Sequence, residues 1–137
     1  MMKVIMKKTV LLLLFGFAGT GSLCAQKLTV KVHNIHPVSG NLMVGVFNTE
    51  RGFPDVYYRG VKVQIADTVM TVTFTDLPEG KYAVSAYQDI NKNGLLDKSI
   101  FGVPKEKYGF SNRDNKPDYK KSVFDFNRDL TVNITLK

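Results

Sequence analysis

The run Asp89-Ile90-Asn91-Lys92-Asn93-Gly94-Leu95-Leu96-Asp97 carries the densest chemical pattern in the chain. Oxygen-bearing side chains stand at relative positions 1, 3, 5 and 9, and Gly94 stands at position 6. That is the spacing of the first nine positions of an EF-hand calcium loop. Alternate side chains can converge on one point, Gly permits the sharp turn, and the carbonyl at position 7 adds an oxygen. The expected ligands are Asp89, Asn91, Asn93, the backbone carbonyl of Leu95, and Asp97; the expected ion is Ca²⁺, which takes hard oxygen donors. Position 12 is Ile100 rather than a bidentate Glu, and Lys92 and Lys98 oppose the two carboxylates. The expected affinity is therefore weak, with a Kd of ~10⁻⁴ to 10⁻³ M. The same run also reads as an Asx-rich turn capped by its own side chains, without a metal.

Other chemistry-bearing residues are sparser. His33 and His36 lie three apart at a strand end and the following turn, with no third ligand near them in sequence, and read as surface histidines. Ser39, Ser85, Ser99, Ser111 and Ser122 belong to no nucleophile elbow or acid–base motif. The acids fall mostly in turns, and the chain reads as non-catalytic. The alternative is an accessory hydrolase acting on an extracellular polymer through paired carboxylates. Phe53, Tyr57 and Tyr58 share one long loop, and Phe101, Tyr108, Phe110 and Tyr119 another. Such rings are either a satellite core beneath the loops or a surface for a polysaccharide, a small ligand or an envelope protein.

The elements that must position these residues are strands. Leu28, Val30 and Val32 alternate with polar residues, as do Val61, Val63 and Ile65. Asn41–Asn48, Val69–Thr75, Lys81–Gln88, Ser122–Phe126 and Leu130–Leu136 show the same period. No window has useful helical periodicity. About seven short strands punctuated by turn residues predict an all-β, antiparallel Greek-key sandwich of immunoglobulin-like or transthyretin-like kind. A small closed barrel is the runner-up. Asp89 to about Lys121 is irregular, yet its aromatics predict an ordered loop packed on the sandwich.

The N-terminus predicts export. Lys3, Lys7 and Lys8 precede an apolar stretch from Thr9 to Ala18, followed by small residues and Ala25. These are the parts of a signal peptide, and the apolar stretch is shorter than the ~20 residues needed to span a bilayer. The expected division is a signal at 1–25 and a sandwich domain at 26–137. The mature chain is then periplasmic or secreted, with no transmembrane segment. Leu23 before Cys24 and Gly21 three before it reverse the lipoprotein pattern, so Cys24 reads as discarded with the signal rather than lipid-anchored. Removing the signal takes away three Lys and no acid, and the formal charge falls from +7 to +4. The remaining basic residues are interleaved with acids, so no nucleic-acid partner is expected. The mature chain has no Cys and folds without disulfides.

Five segments occur in a recognisable order: Val44-Gly45-Val46-Phe47, Gly52-Phe53-Pro54, Leu77-Pro78-Glu79-Gly80-Lys81-Tyr82, the Asp89–Asp97 run, and Phe101 to Asn112 ending in Gly109-Phe110-Ser111-Asn112. Together they resemble the domain of unknown function 2141 family, small exported bacterial β-sandwich proteins without an established activity. The resemblance spans about residues 28 to 136. It implies the fold and the exported state, and it supplies no catalytic residues. After Asn112 the chain reads Arg113-Asp114-Asn115-Lys116-Pro117, where the family often has a small, Gly-rich stretch. The Leu-Pro-x-Gly-x-Tyr turn also resembles transthyretin-like and carboxypeptidase-regulatory-like sandwiches, which bears on fold alone. The expectation is a binding or structural module of the cell envelope.

Overall fold

A computed structural model of the chain describes residues 25–96, 100, 105–112 and 116–137. The expected signal peptide up to its last residue, together with Cys24, Asp97 and Phe101, lies outside the described residues.

Among the described residues, eight strands and one single-turn helix follow in the order β1 (Leu28–His33), β2 (Asn41–Phe47), β3 (Arg59–Gln64), β4 (Met70–Phe74), β5 (Gly80–Asp89), β6 (Tyr108–Phe110), α1 (Tyr119–Ser122), β7 (Phe124–Phe126) and β8 (Leu130–Thr135). The chain is all-β, as the alternation predicts. The expected count of seven becomes eight because β6 lies inside the stretch read as irregular, and α1 lies there too. A three-residue strand is too short to show a period. It forms because β5 offers it a ladder.

One sheet has the order β4-β1-β8 and the other the order β3-β2-β5-β6, with β7 also paired to β5. Pairing is antiparallel except between β1 and β8, which run parallel with Val30 beside Val132. One parallel pair thus stands within an otherwise antiparallel arrangement. The central β1 sits between antiparallel β4 and parallel β8, while β5 meets β2 along one edge and β6 and then β7 along the other.

The core lies where the two sheets face each other. Leu28, Val30, Val32, Val72, Phe74, Val132 and Ile134 come from the three-stranded sheet, and Leu42, Val44, Val46, Tyr82, Val84 and Ala86 from the other. Branched residues at alternate positions fill it because the pleat sends every second side chain to the same face. At one corner the sheets are stitched together: Lys137 N–H donates to Tyr108 O at 3.0 Å, and Tyr108 N–H donates to Lys137 O at 3.2 Å. No helix among the described residues is long and apolar enough to cross a membrane.

The turn between β1 and β2 rests on the end of β5. Gln88 is fully buried, and its Nε2 donates to Pro37 O at 2.6 Å and Ser39 O at 3.1 Å. Gly40 adopts φ +82°, and a Cβ there would run into the Asp89 carbonyl and come within 2.7 Å of Ile90 Cα. Both obstacles are backbone and cannot swing away. Gly40→Ala therefore combines left-handed strain with overpacking and is expected to cost ~2–4 kcal/mol. At Gly60 the three atoms nearest an added Cβ all belong to the movable ring of Tyr57, and Gly60→Ala is expected to cost under ~1.5 kcal/mol. Urea unfolding of both variants checks the ranking; equal losses would contradict it.

Candidate functional site

The loop leaving β5 is built by its own side chains. Asp89 is fully buried, and its carboxylate accepts from Asn93 N–H at 3.2 Å and Gly94 N–H at 2.7 Å. Asn91 Oδ1 accepts from the same Asn93 N–H at 3.3 Å, and Asn93 Oδ1 accepts from Leu95 N–H at 2.9 Å. These are nested Asx turns, in which short polar side chains stand in for backbone acceptors. Lys92 at φ +60° and Gly94 at φ +79° supply the left-handed steps. Tyr87 donates its hydroxyl to Gly94 O at 2.9 Å. The structure thus brings Asp89, Asn91 and Asn93 together, and leaves the Leu95 side chain 66% exposed. Among the described residues there is no group of three or more His, Cys, Asp or Glu that could hold a metal.

Sequence reasoning missed Glu106. Its carboxylate is buried and accepts from Ile90 N–H at 2.7 Å, closing the base of the loop. No local pattern marks it, because its partner lies 16 residues earlier. His33 Nε2 lies 2.9 Å from Asn133 Oδ1 across the β1–β8 pair.

The loop aromatics divide by role. Phe53 meets Phe47 edge-on at 4.9 Å and also touches Phe110 and Tyr119, each at 5.6 Å between centroids. This is a satellite core on the outer side of the five-stranded sheet. Burial, with Glu50 adding to it against Lys81, pushes the Tyr119 phenol above its ordinary value. Tyr58 stacks on Tyr82 at 6.3 Å and lies under the Arg59 guanidinium at 4.2 Å, and Arg59 pairs with Asp76 at 3.2 Å. Tyr57 and Tyr108 instead line a trough.

The Gly-Phe-Ser-Asn block is structural. Ser111 is fully buried; its hydroxyl donates to Ser122 O at 2.6 Å and accepts from Val84 N–H at 3.0 Å. Ser111 N–H donates to Val84 O at 2.9 Å. Asn112, at φ +61°, donates to Val123 O at 3.3 Å. The block extends β6 and pins α1 to β5, so Ser111 has no access to a substrate.

The trough is the second candidate. The outer face of an antiparallel sheet is ordinarily polar. Across β3, β2, β5 and β6 the register instead aligns Gly60, Gly45, Ser85 and Phe110 in one row, and Lys62, Met43, Tyr87 and Tyr108 in the next. The Tyr57 ring lies over Gly60, where a Cβ would come within 2.5 Å of the ring, and its own Cβ sits 3.2 Å from where one would stand on Gly45. Two glycines thus seat one aromatic side chain against the sheet, Gly60 under the ring and Gly45 under its Cβ. Pro54, Asp55 and Tyr57 wall one side, and Leu95, Leu96 and Pro117 contribute further lining. The recess holds about 890 Å³. Phe47, Met43 and Gly45 on the second face of β2 were the one available sequence signal, since that strand is apolar on both faces.

A small all-β sandwich with a hydrogen-bonded Asx loop at one strand end and an aromatic recess on one outer face is the class these features define. Residues 30–134 match the model of a family described as uncharacterized proteins conserved in bacteria, DUF2141, and the chain belongs to that family. Comparison with curated proteins and with solved structures finds no match.

Asp89→Asn retains one acceptor and turns an amide N–H₂ toward a backbone donor. The expected loss is ~1–3 kcal/mol, with faster hydrogen exchange at the Asn93 and Gly94 amides. Unchanged exchange at both would show that the carboxylate does not hold the loop.

Proposed function

We propose that the chain is an exported, non-catalytic binding module of the bacterial cell envelope, and that its ligand site is the trough over the five-stranded sheet. The observation that carries this reading is the recessed, aromatic outer face in place of a solvated polar one. Small-molecule sites are typically concave, largely apolar and furnished with a few polar groups, at ~300–1,000 Å³. The floor stands on strands rather than loops, which gives a ligand a pre-formed surface. Among the described lining residues Asp55 is the one carboxylate, which speaks for binding over paired-carboxylate hydrolysis. The basic and apolar N-terminal segment supports export.

A fragment screen followed by backbone amide shifts tests the site. Hits are expected to cluster on Gly45, Lys62, Ser85 and Tyr87. Hits scattered over the surface, or confined to loop tips away from β2 and β5, would refute the trough.

A weak calcium ion on the Asp89–Asp97 run is part of the same proposal. Its support is that two of the expected ligand oxygens, Asp89 Oδ1 and Asn91 Oδ1, lie 3.2 and 3.3 Å from one nitrogen and so close to each other. At ~1 mM Ca²⁺ and a Kd of ~0.1 mM, binding adds ~1.4 kcal/mol, a rise of about 5 °C in Tm. A melt unchanged by Ca²⁺, or shifted equally by Mg²⁺, would refute it.

A further inference from the structure

We infer that the trough takes a neutral oligosaccharide, its sugar rings laid along the tyrosines. The inference rests on the trough being the ligand site and adds the class of ligand.

Charge comes first. Lys62 and Asp55 are the charged residues among the described lining, one of each sign. A site for a carboxylate, phosphate or sulfate gathers Arg or Lys, and a site for a cation gathers acids. The described lining does neither, so its electrostatics match a ligand without net charge.

The lining is also amphipathic in a particular way. Tyr57 remains 57% exposed while its ring sits over Gly60 and its Cβ against Gly45. Tyr87 and Tyr108 stand side by side in register on β5 and β6. Ser85 places a hydroxyl on the floor opposite Gly45. A pyranose ring has an apolar C–H face and a hydroxyl rim. The face packs on aromatic rings, which present an apolar body with a polar tip. The rim meets Ser85, Lys62 and Asp55, which can donate or accept. An acyl chain would strip water from Ser85 and offer nothing in return. An extended peptide would need a sheet edge for its ladder, and the trough presents a sheet face. The volume of about 890 Å³ accommodates more than one ring.

The test titrates the ¹⁵N-labelled protein, purified after export, with neutral hexaoses of glucose, mannose, xylose and N-acetylglucosamine. Decanoate and a heparin hexasaccharide serve as apolar and anionic probes. At least one neutral hexaose is expected to shift the amides of Gly45, Lys62, Ser85 and Tyr87. Tyr57→Ala is expected to weaken that binding about tenfold, the cost of truncating one anchor, and Ser85→Phe to abolish it by filling the floor. Unchanged melting curves show that both variants fold, and Tyr57→Ala alone decides the matter if Ser85→Phe does not. Binding of decanoate or heparin in the trough without any neutral hexaose overturns the sugar class and leaves the trough as a ligand site. No shift in the trough with any probe overturns both.

Discussion

The ten-residue strand β5 has partners along both edges, and the rest of the molecule is arranged by that fact. One edge carries β2 for seven consecutive pairs; the other carries β6 and β7 in succession. A strand paired on both sides satisfies its backbone without water, so both its faces are available for packing. The inward face supplies Tyr82, Val84 and Ala86 to the core. The outward face supplies Ser85 and Tyr87 to the trough, and the last residue, Asp89, turns its carboxylate into the loop that follows.

This explains how a short chain supports an irregular segment of more than thirty residues. The segment does not need its own periodicity because it returns repeatedly to β5. Glu106 closes the loop at Ile90, Ser111 bonds to Val84, and Asn112 caps carbonyls at the end of α1. These polar side chains, among the described residues of the segment, are spent on backbone groups, which holds them in place with little regular structure. The aromatics do the complementary work: Phe53, Phe110 and Tyr119 form a second apolar cluster outside the sandwich.

The six strands of five residues or more are legible in the sequence because their period of two is written locally, and the three-residue β7 shows only as Phe124 and Phe126 on either side of Asp125. Leu28, Val30 and Val32 point one way whatever lies across from them. The strand β6 is not legible, since Tyr108–Phe110 becomes a strand only through its register with Ser85–Tyr87. The parallel β1–β8 pair is likewise a matter of topology, which alternation does not encode. The Asx loop is legible because its contacts span two to five residues. Glu106 is not, because it acts across the interval. The trough lay half in view: β2 showed apolar residues on both faces, but what covers the second face depends on where residues 54–57 and 94–96 travel.

The parallel pairing of β1 and β8 has a mechanical side. These are the first and last strands of the fold, zipped from Leu28 beside Leu130 to His33 beside Thr135. Tension between the two ends of the domain would pull them in opposite senses along a shared ladder. Every bond in that ladder then bears load together, in shear, instead of opening one after another as in peeling. A domain held at both ends would meet extension first in the ladder between these two strands, whose inward residues Val30, Val32, Val132 and Ile134 belong to the core.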